Sequence, residues 1–155
     1  MRRTTSRAEM IKNAGKSGPH CACFNVRKTA RVLTQLYDNA LRPVGLRVTQ
    51  LSILMATHSL ERATLSQLAK VMAMDRTTLT RNLRPLEREG LLAIQSGQDR
   101  RERQIAITPH GQQLLGKAVP LWEQIQARVT HKFGADRLQQ LFDELSDLRL
   151  IGRAA

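Results

Sequence analysis

The chain has 155 residues, 41% of them apolar, which suits one compact domain or at most two small lobes sharing a core. Lys and Arg number 25 against 13 Asp and Glu, and a formal net charge of +12 points to a polyanionic partner, nucleic acid ahead of an anionic membrane surface. Three Phe, one Trp and one Tyr leave little for stacking single-stranded bases. No apolar run approaches the roughly 18 residues that cross a bilayer, and the basic opening segment lacks the apolar stretch of a secretory signal. The two cysteines, Cys21 and Cys23, exclude a disulfide framework and fit a reducing cytoplasm.

Residues 1–20, rich in Gly, Ser, Lys and Arg, read as a flexible basic arm. From Cys23 to Leu41, Val26, Ala30, Leu33, Tyr37, Ala40 and Leu41 fall at helical spacing, and Pro43 and Gly45 end that helix. A second pattern, Val48, Leu51, Leu54 and Met55, runs to about Ser59. Thr64-Leu65-Ser66-Gln67 matches a capping box and opens a short helix carrying Leu65, Leu68, Ala69 and Met72. Asp75 is a good N-cap for the next helix, from Arg76 to about Glu89, because its carboxylate accepts the free amides of Thr77 or Thr78. Gly90 closes this helix, and Pro85, which lacks an amide donor, predicts a kink in it. Two strand-like runs, Leu91–Gln95 and Arg103–Ile107, flank the turn Ser96-Gly97-Gln98-Asp99-Arg100-Arg101. Thr108-Pro109 caps a long helix reaching Phe133, with a bend predicted at Pro120. After Gly134, Leu138, Leu141, Phe142, Leu145 and Leu148 have coiled-coil-like spacing.

Four helices, a hairpin and two more helices give a mostly α chain built on a winged helix-turn-helix. We expect that DNA-binding lobe over residues 49–110. The outer helices, residues 21–48 and 111–155, are too long and too apolar to serve only that lobe and read as a dimerisation layer. On the helix from Arg76, Leu79, Leu83 and Leu86 share the core face, and Thr77, Arg81, Arg84 and Arg88 lie roughly opposite. A cationic stripe alone is an ordinary solvated face. Between a capped helix and an arginine-tipped hairpin it suits the major groove, its first turns reading base edges and later arginines meeting phosphates. The expected DNA contacts are Arg76, Thr77, Thr78, Thr80, Arg81 and Arg84, with Asp99, Arg100, Arg101 and Arg103 on the hairpin. An arginine at a narrow hairpin tip suits the minor groove, and Asp99 is suited to holding Arg101 by a charge-assisted bond.

These elements together resemble the MarR family of regulators over about residues 23–150. The resemblance rests on Leu68-Ala69, Asp75-Arg76-Thr77-Thr78-Leu79-Thr80-Arg81, Leu86-Glu87-Arg88-Glu89-Gly90-Leu91, Asp99-Arg100-Arg101 and Ile107-Thr108-Pro109-His110-Gly111. Pro85 departs from the commoner pattern. The resemblance implies a homodimer with interleaved first and last helices, a pseudo-palindromic double-stranded operator, and Asp99 with Arg101 as the paired wing residues. It also implies effectors acting between the dimer layer and the DNA-binding lobes, so the expected function is a repressor released by an inducing signal.

Cys23 lies near the start of its helix with Arg27 one turn ahead, a setting in which cysteines become reactive. Cys23-Phe24 with Tyr37 fourteen residues on resembles the organic-hydroperoxide branch of the family. That match is partial: Arg27 stands where a second tyrosine is expected, and no C-terminal cysteine is present to resolve an oxidised Cys23. The sensing assignment is therefore Cys23, with Arg27 one turn away, Tyr37 within reach across the helix pair, and Cys21 as auxiliary thiol. A small aromatic or phenolic effector in the cleft between lobes is the alternative. A soft metal on His20, Cys21 and Cys23 falls short of a closed site, and inert, packed cysteines are the structural alternative. No cofactor is expected, and no enzyme: His20, His58, His110 and His131 are scattered and no glycine-rich phosphate loop occurs. A lysine-rich amphipathic helix, which a membrane-surface protein would need, is also missing.

Overall fold

The computed structural model describes residues 18–96 and 103–151, together with Ile11. Helix α1 spans Ala22–Leu41, and a 3-10 turn at Arg42–Val44 leads to Gly45, whose left-handed backbone (φ 71°) reverses the chain. Helix α2 is Val48–Ser59, α3 is Leu65–Val71 and α4 is Arg76–Arg88. Helix α5, Pro109–Phe133, and helix α6, Ala135–Ile151, complete the helical part. Strands β1 (Ala63–Thr64), β2 (Leu92–Ser96) and β3 (Arg103–Ile107) form an antiparallel sheet in the order β1-β3-β2. The register pairs Ala63 with Ile105, Leu92 with Ile107 and Ser96 with Arg103.

The winged helix-turn-helix expected from the sequence is the observed fold, and each expected helix is present. Both prolines that predicted interruptions lie inside single helices, Pro85 in α4 and Pro120 in α5. Pro85 lacks the amide that would bond the Arg81 carbonyl. Leu83 and Leu86, near it in sequence on either side, are both buried, and the helix continues through it to Arg88. Strand β1 and a 3-10 turn at Gly18–His20, inside the segment read as a flexible arm, are elements the sequence did not announce. The two residues of β1 carry no period-2 signal, and Thr64 reads locally only as a helix cap.

That cap forms as expected. The Gln67 amide donates to Thr64 Oγ1 at 3.1 Å, and the Thr64 amide donates to Gln67 Oε1 at 2.9 Å. The start of helix α2 is bonded both locally and from afar: the Arg47 amide donates to Gln50 Oε1 at 2.9 Å, and Asp38 Oδ1 on α1 accepts the Val48 amide at 2.7 Å. The core gathers Leu51, Ile53 and Leu54 of α2, Leu68 of α3, Leu79, Leu83 and Leu86 of α4, Ile105 of β3 and Ala118 of α5. Burying one such leucine is worth about 1.5–3 kcal/mol, so α4 is fastened chiefly by its three.

Two helix ends carry the same backbone motif with different residues. At the end of α4 the Gly90 amide donates to the Glu87 carbonyl and the Leu91 amide to the Leu86 carbonyl, with Gly90 at φ 70°. At the end of α3 the Ala73 amide donates to the Lys70 carbonyl and the Met74 amide to the Ala69 carbonyl, with Ala73 at φ 50°. An L side chain in that region costs about 1–2 kcal/mol, partly offset by the freedom glycine has in the unfolded chain. We therefore expect Ala73→Gly to stabilise the protein by about 0.5–1 kcal/mol in urea unfolding. A loss of stability would show that the Ala73 methyl contributes packing that outweighs the strain.

Candidate nucleic-acid interface

Helix α4 is set by the residue before it. Asp75 has extended backbone (φ −71°, ψ 157°); its Oδ1 accepts the Thr78 amide at 2.8 Å, and its Oδ2 accepts the Thr78 hydroxyl at 2.6 Å. The Thr78 hydroxyl bond and then the Thr78 amide bond hold the Asp75 carboxyl below its ordinary value of 3.8. A carboxylate depressed in the folded state adds stability that is fully present above the unfolded value and is lost as pH falls through the folded one. Below pH 3.8 the parent should therefore lose this contribution while Asp75→Asn, which cannot ionise, should not. Thermal midpoints recorded between neutral pH and pH 3 check this, and parallel profiles for the two proteins would refute it.

On α4, Leu79, Leu83 and Leu86 are buried against the core. Thr77, Arg81, Arg84 and Arg88 are exposed and fall within an arc of about 60° on the opposite side. The face is thus cationic along its length, with a hydroxyl at its N-terminal end. The other expected contacts have partners of their own. The half-buried Thr78 is spent on the cap, and the Thr80 hydroxyl donates to the Arg76 carbonyl at 2.7 Å. Arg76 Nη2 donates to Ser66 Oγ at 2.8 Å, tying α4 to the start of α3. Arg88 and Ser66 are additions to the expected set; Arg88 was legible on the same face, whereas Ser66 comes into place only through packing.

The pairing of Ser96 with Arg103 carries the wing outward, and both residues are exposed. Asp99, Arg100 and Arg101 lie outside the described residues. Cys21, the extended residue before α1, and Cys23, in its first turn, are free and exposed, as is Arg27 one turn on. Asn25 Nδ2 donates to the carbonyls of Pro19 at 2.8 Å and Cys21 at 3.0 Å, holding the entry to the helix.

Tyr37 lies on α1 as well, fourteen residues from Cys23 and so about 21 Å along the same axis. Within one chain the two do not meet. Tyr37 is half-buried and its hydroxyl donates to Gln126 Oε1 of α5 at 2.5 Å, and burial raises its pKa above the ordinary 10.0. The pair borders two cavities of about 340 Å³ each: one is apolar, with Leu33, Leu138 and Leu141 in its wall, and the other is lined by Thr34, Val48 and Trp122. Among the described residues no three His, Cys, Asp or Glu side chains are placed to hold a metal ion, so His20, Cys21 and Cys23 do not form a three-ligand set.

Helices α2 to α4 with strands β1 to β3 make this a winged helix-turn-helix protein. Residues 46–102 match the MarR family. The transcriptional regulator MosR of M. tuberculosis, solved in complex with DNA, is 41% identical, with 86% of this chain and 97% of that one covered and a TM-score of 0.80. The transcriptional repressor CouR, bound to a 23-mer DNA duplex, shares the fold at 20% identity, with 86% and 95% covered and a TM-score of 0.76. A MarR variant from E. coli complexed with operator DNA does so at 19% identity, with 93% and 99% covered and a TM-score of 0.73. The chain belongs to the MarR family.

Proposed function

We propose that this protein is a transcriptional repressor that binds a pseudo-palindromic duplex operator as a homodimer and is released by oxidation of Cys23. The observation that carries the DNA-binding part is the capped helix α4, which buries three leucines and presents Thr77, Arg81, Arg84 and Arg88 on one open face. The likeness to MosR, solved with DNA, supports it. In this reading residues 49–110 are the DNA-binding lobe, and residues 21–48 and 111–155 form the dimer layer. That layer leaves an apolar surface no monomer keeps readily: Val32 is 60% exposed, Phe142 47% and Leu148 45%. The hairpin residues assigned to DNA in this reading are Arg100, Arg101 and Arg103, for the minor groove, with Asp99 assigned to hold Arg101. The test is selection of duplexes from a randomised pool. The protein should recover palindromes whose half-site centres lie about one helical turn apart, with affinity falling steeply with salt. Equal binding to vesicles of anionic phospholipid would move it to the membrane-surface class.

For the signal, a hydroperoxide transfers one oxygen to Cys23. The O–O bond breaks, an alcohol leaves and a sulfenic acid forms. The Cys21 thiol then displaces that oxygen as water, giving a disulfide to Cys23 of the same chain or of the other subunit. Exposure of both sulfurs supports this chemistry. The polar group added at the start of α1 disturbs the dimer layer and moves the two recognition helices off their common DNA face. Hydroperoxide or diamide should weaken operator binding by the parent and leave Cys23→Ser unaffected. An unresponsive parent, or a Cys23→Ser protein that responds equally, refutes the assignment.

A second reading has its own observation. Tyr37, Gln126 and Trp122 border a cavity between α1, α2 and α5, where apolar walls meet a phenol and an amide. A small phenolic effector suits that place. Release of operator by such compounds in both the parent and Cys23→Ser would favour it.

A further inference from the structure

The end of α4 and the start of α5 are joined through Thr108 and a close approach of Gly111 to the Leu91 backbone. Thr108 caps α5, its Oγ1 accepting the Gly111 amide at 3.0 Å. The same hydroxyl donates to the Gly90 carbonyl at 2.6 Å, and the Thr108 amide donates to the Leu91 carbonyl at 3.1 Å. Gly90 and Leu91 are the two residues that close α4. Gly111 is buried in the first turn of α5, and a methyl group on it would overlap the Leu91 carbonyl oxygen and stand 2.8 Å from Ile107 Cγ1. Unlike Gly90, Gly111 has ordinary helical backbone, so close approach alone demands a glycine here.

We infer that the Thr108–Gly111 joint is a positioning site for DNA recognition: it fixes the angle between α4 and α5 and thereby the half-site spacing that the protein prefers. The inference rests on the homodimeric DNA-binding reading above. Helix α5 has 25 residues and is about 37 Å long. One end meets the recognition helix through this joint; further along, Gln126 is bonded to Tyr37 of α1. Wedging the joint open by about 1 Å across a helix radius of roughly 5 Å tilts the rod by about 10°. Over that length the far end moves by about 6 Å, close to two base-pair steps. The joint is therefore the point at which a small displacement becomes a change of register on DNA.

The probe is the palindrome that the parent recovers from a randomised pool, together with versions having one base pair added or removed between half-sites, and a duplex of unrelated sequence. Gly111→Ala should bind the parent's preferred spacing at least about tenfold more weakly, with its optimum moved or flattened. Its affinity for the unrelated duplex should stay within about threefold of the parent's. Thr108→Val, which keeps the shape but loses all three hydroxyl bonds, to the Gly90 and Leu91 carbonyls and from the Gly111 amide, should shift the profile in the same way, and Thr108→Ser should restore it. The Thr108 pair decides the matter if Gly111→Ala does not fold. An unchanged spacing profile in Thr108→Val and in folded Gly111→Ala, or a loss shared equally by every duplex, overturns the inference. A parent that prefers no duplex at all refutes the functional reading itself.

Discussion

Arg81→Ala should lower affinity for the selected operator by about 10- to 100-fold and flatten the preference at one base position in each half-site. Arg81 stands exposed on the open face of α4, one turn beyond Thr77. A planar guanidinium with two parallel donors matches guanine O6 and N7, and each such pair is worth about 1–3 kcal/mol of discrimination. Arg84, nearly a turn further on, should behave differently. As a phosphate contact its removal should weaken all duplexes alike and reduce the salt slope by about one. Fluorescence anisotropy on the operator, its single-base variants and an unrelated duplex, at several salt concentrations, separates the two patterns. Arg81→Ala binding like the parent would mean that α4 does not lie in the groove as placed.

If the protein is the homodimer proposed above, Leu141→Glu should convert it into a folded monomer. Leu141 is 36% exposed in the isolated chain and, with Leu33 at 39%, faces the apolar cavity between α1, α5 and α6. Neither residue belongs to the core of the DNA-binding lobe, so a carboxylate there costs that lobe little. Buried between subunits without a partner, the same carboxylate costs several kcal/mol, enough to dissociate a micromolar dimer. Losing the second half-site removes the gain of linked binding, about 100- to 10,000-fold on a palindrome. Affinity for a single half-site should change little. Sedimentation velocity with circular dichroism tests this directly; a parent that is monomeric, or a variant that stays dimeric, excludes this face as the interface.

Much of this architecture was written in local sequence. Thr64 with Gln67, Asp75, and Thr108 before Pro109 each mark a helix start, because a capping side chain reaches amides only two or three residues away. The spacing of Leu79, Leu83 and Leu86 fixed which side of α4 is buried, and so which side carries Thr77, Arg81 and Arg84. The twofold period of Arg103 to Ile107 likewise marked β3. All of these are interactions within one turn or one strand, which a sequence states in order.

What the tertiary structure decided involves partners far apart in the chain. Strand β1 exists because Ile105 lies beside Ala63, and the Val48 amide at the start of α2 is bonded by Asp38 from another helix. Tyr37 pairs with Gln126 across 89 positions and stands in the wall shared by two cavities, a partnership that its spacing in the chain does not record. Ser66 meets Arg76 only because α3 and α4 pack together, and an alanine at position 73 gives no local sign of a left-handed backbone. Gly111 looks permissive in sequence, yet packing makes it obligatory, since the Leu91 carbonyl lies where its side chain would be. Spacing along a chain records what neighbours do to one another, and it does not record which distant backbone the fold will bring against them.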